Sequence, residues 1–124
     1  MLKYNWGVSE FSNIFNVKGV QYINMNIANN LRAIEEVKAD ILGEVSELYK
    51  KLADYDELAD YGAVESSIAT IIAMDYILAR HLGIAQSTID SRICELTDIA
   101  AENSHPLETE FGDMSELAKY IRKR

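Results

Sequence analysis

The chain has 124 residues, enough for one hydrophobic core but not for several large domains. Its residues are 48% hydrophobic and 26% charged, a globular composition that argues against wholesale disorder. The formal charge of -8 supplies no basic surface for a phosphate backbone, so we expect no nucleic-acid partner.

Nothing in the sequence indicates export or membrane insertion. The segment Met1–Asn5 does not resemble a secretory signal, and no apolar run approaches the length that spans a bilayer. The single cysteine, Cys94, rules out an intrachain disulfide and a cysteine-based zinc cage. We therefore expect a cytoplasmic protein with no membrane partner.

The first predicted elements are an N-terminal arm and a long helix. Residues 1–23 are rich in aromatic side chains, and we expect them to cover the core or a partner subunit. Asn24 or Asn26 can cap the helix, which should run to about Ala53 with Gly43 tolerated for close packing. Its apolar residues recur at helical spacing: Ile27, Leu31, Ile34, Ile41, Val45, Leu48 and Leu52.

A second predicted helix occupies about residues 57–82, where Gly62 could kink or divide it and Gly83 ends it. Asp75 falls in the middle of its predicted apolar face. That face comprises Val64, Ile68, Ile71, Ile72, Leu78 and Leu82.

The last predicted elements are two more helices. One is capped by Ser87 or Thr88 and stops before Pro106, and a short one runs from about Ser115 to Arg122. We expect Ile89, Ile93, Leu96, Ile99 and Ala100 of the longer helix to face inward. No strand-like alternation is present. The sequence thus predicts an all-α fold, an antiparallel bundle of about four main helices forming a single domain over 1–124.

Four acids border the apolar stripe of the first long helix: Glu36, Asp40, Glu44 and Glu47. Helical geometry places Glu44 closest to the core-facing side. Carboxylates three and four residues apart repel one another, and a divalent cation with oxygen ligands would compensate. A solvated flank on an acidic protein explains the same pattern without a metal.

The wording of this helix resembles a known family. Residues 42–48, LGEVSEL, look like the first acidic helix of the MazG-like nucleotide pyrophosphohydrolases, whose relatives include the all-α dUTP and dCTP pyrophosphatases. The family signature is an ExxE on one helix and an ExxD on the next. Glu44 and Glu47 match the ExxE, and Glu57 and Asp60, in the tetrapeptide ELAD, match the ExxD. The resemblance covers about residues 30–106.

The second acidic motif has two possible registers. Only nine residues separate Glu47 from Glu57, fewer than the family usually has. Alignment on the segment HLGI at 81–84 instead places Ser67 and Thr70 at the Glu and Asp of the ExxD. In that register the protein would have rebuilt its site from other acids. The alternates are Asp40, Glu65 and Asp75.

The resemblance implies a Mg²⁺- or Mn²⁺-dependent pyrophosphohydrolase that cleaves a nucleoside triphosphate between its α and β phosphates, as a homodimer or homotetramer. Glu44 and Glu47 would be catalytic, and with Glu57 and Asp60 they would hold the metal. The candidates for phosphate contacts are Lys51, Arg80 and Arg92. The competing hypothesis is a non-catalytic helical interaction or inhibitor protein, such as a degenerate MazG-like scaffold, because the short spacing and the Ser67 register also fit it.

Overall fold

The computed structural model describes the backbone of residues 21–53 and 61–124 and the side chains of residues 27–53 and 61–124. Within these ranges the chain forms five α-helices and no strand. They are α1 (Gln21–Ala53), α2 (Tyr61–His81), α3 (Gln86–Glu102), α4 (Pro106–Phe111) and α5 (Asp113–Lys123). The all-α prediction is confirmed. Most of the predicted N-terminal arm lies outside the described residues.

The chain divides into two compact units, one ending at Leu82 and the other running from Gly83 to Arg124. In the first unit, α1 and α2 pack as an antiparallel hairpin. In the second unit, α3 packs against α5, and the short α4 contacts both. The candidate acids of α1 therefore lie in the helical hairpin.

The two helices of the hairpin meet along a surface that we call the α1–α2 seam. Its α1 side consists of buried or half-buried residues at helical spacing: Asn30, Ile34, Val37, Ile41, Glu44, Leu48 and Lys51. Its α2 side is formed in the same way by Val64, Ser67, Thr70, Ile71, Met74, Leu78 and His81. Polar residues thus interrupt an otherwise apolar contact at several levels.

The prediction for the inner face of α2 is partly wrong. Asp75 is exposed and does not point into the core, and Ile68, Ile72 and Leu82 are also exposed. The helix is rotated relative to the prediction because Ser67, which is only 1% exposed, faces α1. Helix α2 is apolar on most of its circumference, so hydrophobic spacing alone did not select the face that packs.

Several predicted helix ends also differ from the structure. Helix α1 runs unbroken through Gly43 as predicted, but it is already helical at Gln21, so Asn24 and Asn26 lie inside it and do not cap it. A Cβ on Gly43 would meet no atom within 4 Å, so close packing is not why this glycine is present in the hairpin. Helix α2 begins at Tyr61, next to Gly62, and the part of the predicted helix before Tyr61 lies outside the described residues.

The prediction that Ser87 or Thr88 caps the third long helix is wrong. Helix α3 follows Ala85, which makes no side-chain cap, whereas Ser87 and Thr88 lie in its first turn. Pro106 opens α4 as its first residue, a position where proline costs no hydrogen bond. Gly112, with a left-handed φ of 73°, joins α4 to α5.

A small core and two ion pairs hold the second unit together. Its buried residues are Cys94, Thr97, Ala118 and Ile121, whereas Leu96 and Ile99, predicted to face inward, are exposed. Two exposed ion pairs link α3 to the end of the chain: Arg122 with Asp98 at 2.5 Å and Arg124 with Asp90 at 2.8 Å.

Helix α2 has the length and composition of a membrane-spanning helix, with a mean hydropathy of 1.3 over 18 residues, contrary to the prediction that no apolar run approaches that length. A mostly buried core helix of a soluble protein has the same length and hydropathy, whereas only 11% of this window is buried. Glu65, Asp75 and Arg80 are exposed along this helix, and exposed charges are costly in hydrocarbon. The absence of a membrane partner therefore stays a prediction.

Candidate functional site

Two hydrogen bonds between Asn30 and His81 fix the register of the hairpin at one end. The Asn30 side-chain nitrogen donates to the His81 carbonyl at 2.7 Å. The Asn30 Oδ1 atom lies 2.6 Å from His81 Nδ1. Because an amide oxygen only accepts, Nδ1 carries the proton in this contact.

This register places Glu44 opposite Ser67. The next pair lies seven residues further along α1 from Asn30 and seven residues back along α2 from His81. It consists of Val37 and Met74. A second heptad leads to Glu44 and Ser67. Residues seven apart stay on one side of a helix with only a small drift. The ExxE of α1 therefore faces the level of α2 where the alignment on the segment HLGI at 81–84 places the first acid of an ExxD.

Glu44 is the only half-buried member of the four-acid stripe, since Glu36, Asp40 and Glu47 are exposed. The prediction that Glu44 lies closest to the core is confirmed. Within the described part of the chain, its carboxylate makes no hydrogen bond and no ion pair. Glu47 differs, because its side chain is 56% exposed and pairs with Lys50 at 3.3 Å.

Lys51 reaches across the seam to α2. Its Nζ donates to Ser67 Oγ at 2.6 Å, and it lies 3.4 Å from the Ala63 carbonyl oxygen. Helical side chains lean toward the N-terminus of their own helix, so the Lys51 ammonium extends back toward the level of Glu44. No described carboxylate lies within 4.0 Å of this ammonium. Lys51 thus satisfies the buried Ser67 hydroxyl and brings a positive charge into the seam.

Thr70, which the alignment on HLGI places at the Asp of the ExxD, does not share the contact of Ser67 with Lys51. Its hydroxyl donates to the Ser66 carbonyl at 2.7 Å, within α2. The other predicted ligands are dispersed: Asp40, Glu65 and Asp75 are exposed, and Glu57 and Asp60 lie outside the described residues.

The two predicted phosphate-contacting arginines are at the surface. Arg80 is exposed in the last turn of α2. Arg92 belongs to the second unit and pairs with Glu95 on the same helix at 2.6 Å. Of the three predicted bases, Lys51 alone is held inside the hairpin.

The described residues offer an incomplete set of metal ligands. Within 21–53 and 61–124 there is no group of three or more His, Cys, Asp or Glu side chains placed to hold a metal. Glu44 and Glu47 could supply two carboxylates from α1, and hard divalent cations take six or more oxygen ligands. Glu57 and Asp60, which lie outside the described residues, and water could supply further ligands.

A family model for the MazG-like family matches residues 27–114, which is most of the chain. The chain belongs to the MazG-like family. No curated protein and no solved structure gave a match. The family has an all-α fold of the nucleotide pyrophosphohydrolase type and is generally dependent on divalent metals. This match confirms the resemblance that the acidic helix indicates.

Two cross-helix contacts were not foreseen from the sequence, Asn30 with His81 and Lys51 with Ser67. The polar seam positions Asn30, Glu44 and Lys51 are separated by multiples of seven, as are Ser67 and His81. That heptad spacing was the available signal. The spacing of apolar residues does not contain this signal, because all five of these residues are polar.

Proposed function

We propose that this MazG-like protein is a Mg²⁺- or Mn²⁺-dependent nucleoside triphosphate pyrophosphohydrolase. The observation that carries the proposal is the carboxylate of Glu44, which is half-buried on the α2 side of an acidic helix and makes no bond to another described residue. In a member of a generally metal-dependent family, such a group is a suitable ligand. A metal bound there would neutralise charge on the phosphate oxygens.

The chain's own carboxylates would activate the attacking water by accepting its proton. Water attacks the α-phosphorus, the bond between that phosphorus and the bridging oxygen breaks, and pyrophosphate leaves with the bond's electron pair. Glu44 or Glu47 accepts the proton of the attacking water. Glu47 must first leave its exposed ion pair with Lys50, which holds it only weakly.

Nucleotide hydrolysis would be tested with purified full-length protein, a panel of ribonucleoside and deoxynucleoside triphosphates, and Mg²⁺ or Mn²⁺, with released pyrophosphate as the readout. We expect Glu44→Gln to lower the rate by about 100-fold or more, the scale of general-base catalysis. Glu36→Gln is the matched control, because Glu36 is an exposed acid two turns earlier on α1. An active Glu44→Gln protein would contradict the proposal.

The location of the second acidic motif can be tested in the same assay. We expect Asp60→Asn to abolish pyrophosphate release, since Glu57 and Asp60 complete the proposed ligand set. Asp75→Asn should have no effect, because Asp75 is exposed on α2. Loss of activity in Asp75→Asn alone would instead indicate a rebuilt site.

Self-association is part of the proposal. Exposed apolar side chains are present on both helices of the hairpin, including Leu42, Tyr49 and Leu52 on α1 and Ile68 and Ile72 on α2. Large exposed apolar surfaces are typical of interfaces between subunits. A homodimer or homotetramer would cover them.

A non-catalytic scaffold is the second candidate function, favoured by the contact between Lys51 and Ser67. Where the alignment on HLGI expects the Glu of an ExxD, the structure has the buried Ser67, which accepts a hydrogen bond from the Lys51 ammonium. Failure of the wild-type protein to release pyrophosphate from any triphosphate in the panel would favour this candidate and contradict the enzyme.

A further inference from the structure

The seam contains a fixed positive charge at the level of its most buried acid. The heptad register places Glu44 opposite Ser67, and Lys51 Nζ lies 2.6 Å from Ser67 Oγ. We call these three residues the Glu44 layer. Ser67 is 1% exposed and Lys51 is half-buried, so this ammonium lies partly inside the hairpin.

The ammonium is held by oxygen atoms that carry no net charge. A serine hydroxyl and the more distant carbonyl of Ala63 accept from it, and no described carboxylate lies within 4.0 Å. A cation among neutral oxygens beside an acidic helix has the same sign and the same kind of ligands as a bound metal ion. It differs from a metal in being covalently attached and in carrying one charge.

We propose that Lys51 is the resident cation of the Glu44 layer: its ammonium takes the place of a divalent ion beside Ser67 and weakens metal binding by the nearby carboxylates. The inference rests on the proposed function only in taking Glu44 and Glu47 as the carboxylates that a metal would use. It assigns Lys51 a role in setting metal affinity, which the family match does not contain.

The physical reason is like-charge repulsion. A fixed unit charge one or two helical turns from a divalent ion weakens its binding by about 13-fold or about fourfold, respectively, in a water-like dielectric. The effect decreases as salt is added, because mobile ions screen the repulsion. A lysine that only satisfied the Ser67 hydroxyl would have no such effect on a metal.

The test is Mn²⁺ binding to the full-length protein, followed by the electron paramagnetic resonance signal of free Mn²⁺. We expect Lys51→Met to bind Mn²⁺ about fourfold or more tightly than wild type at low salt, with a smaller difference at high salt. Lys119→Met is the control, since Lys119 is exposed on α5 in the other unit. It should leave the affinity unchanged.

A second variant guards against misfolding. Lys51→Met leaves the buried Ser67 hydroxyl without its partner, whereas Lys51→Met with Ser67→Ala removes both polar groups, a change that is often nearly neutral for stability. The double variant should also bind Mn²⁺ more tightly than wild type, because it lacks the repelling ammonium.

The outcomes separate this inference from the proposed function. Equal or weaker Mn²⁺ binding in both Lys51 variants overturns the inference even when wild type releases pyrophosphate. Mn²⁺ binding that appears only in the variants supports the inference and counts against metal dependence of the wild type. Absence of binding in every protein overturns the inference as well.

Discussion

The hydrogen bonds between Asn30 and His81 set the register from which the Glu44 layer follows, so their removal is the most informative structural perturbation. Asn30→Ala deletes a bond of 2.7 Å to the His81 carbonyl and one of 2.6 Å to its ring. Each such bond contributes about 0.5–1.5 kcal/mol. The His81 carbonyl and ring that lose these bonds are half-buried, and water can replace part of the lost hydrogen bonding. We therefore expect a total loss of about 1–2 kcal/mol in the free energy of unfolding.

Alanine is also a better helix former than asparagine, by up to about 0.7 kcal/mol, which offsets part of this loss. Asn29→Ala is therefore the matched control. Asn29 is exposed on the same helix, and among the described residues its side chain bonds only to Arg32, three residues on. It receives the same propensity gain without losing a contact to α2. The difference between the two variants isolates the cross-helix bonds.

The assay is chemical denaturation of the full-length protein, followed by helical circular dichroism. We expect Asn30→Ala to have a free energy of unfolding about 1–2 kcal/mol below that of Asn29→Ala. Equal values for the two variants, within about 0.3 kcal/mol, would refute the account, because Asn30 would then not link α1 to α2 and the register of the seam would lose its support.

Three further predictions follow from the structure. Gly43→Ala should stabilise the protein by about 0.5–1 kcal/mol, because Gly43 lies in a helix interior and a Cβ there meets no atom within 4 Å. Gly112→Ala should destabilise the protein by about 1–2 kcal/mol, because the φ of Gly112 is 73°. Chemical denaturation measures both changes. The Ser115 hydroxyl and amide donate to Glu108 and lower the pKa of that carboxyl below 4.5. The stability that this contact contributes is therefore present above the unfolded pKa of Glu108 and is lost as the pH falls through the lower folded pKa. Ser115→Ala should raise the pKa of Glu108 again, as measured by an NMR titration. Self-association predicts a particle larger than one chain at tens of micromolar in light scattering, and a strict monomer would contradict it.

Much of the first helix could be predicted because its apolar stripe is narrow and its opposite side is polar. The same spacing located Glu44 at the edge of the core. Helix α2 was harder. Its apolar residues occur on most sides, so Asp75 was placed inward and Ser67 was not recognised as the buried contact. The face that packs contains apolar residues together with the polar contacts of Ser67 and His81.

The α1 side of the candidate site was predictable from the sequence, and on the α2 side the alignment on HLGI indicated the position of Ser67. Glu44 and Glu47 follow from a local pattern on one helix, whereas the α2 side depends on the register between two helices. That register is set by contacts 51 and 16 residues apart in sequence, which helical periodicity does not encode. Glu57 and Asp60 lie outside the described residues, so their part in the site stays a prediction.

The measurement that tests the central claim most directly is the melting temperature of wild type and Glu44→Gln with and without Mg²⁺. A ligand that binds only the native state stabilises it, by about 2.7 kcal/mol at 100 times its dissociation constant. We predict that saturating Mg²⁺ raises the melting temperature of wild type by several degrees and leaves Glu44→Gln unchanged. An equal rise in both proteins, or no rise in wild type, would contradict the assignment of Glu44 as a metal ligand.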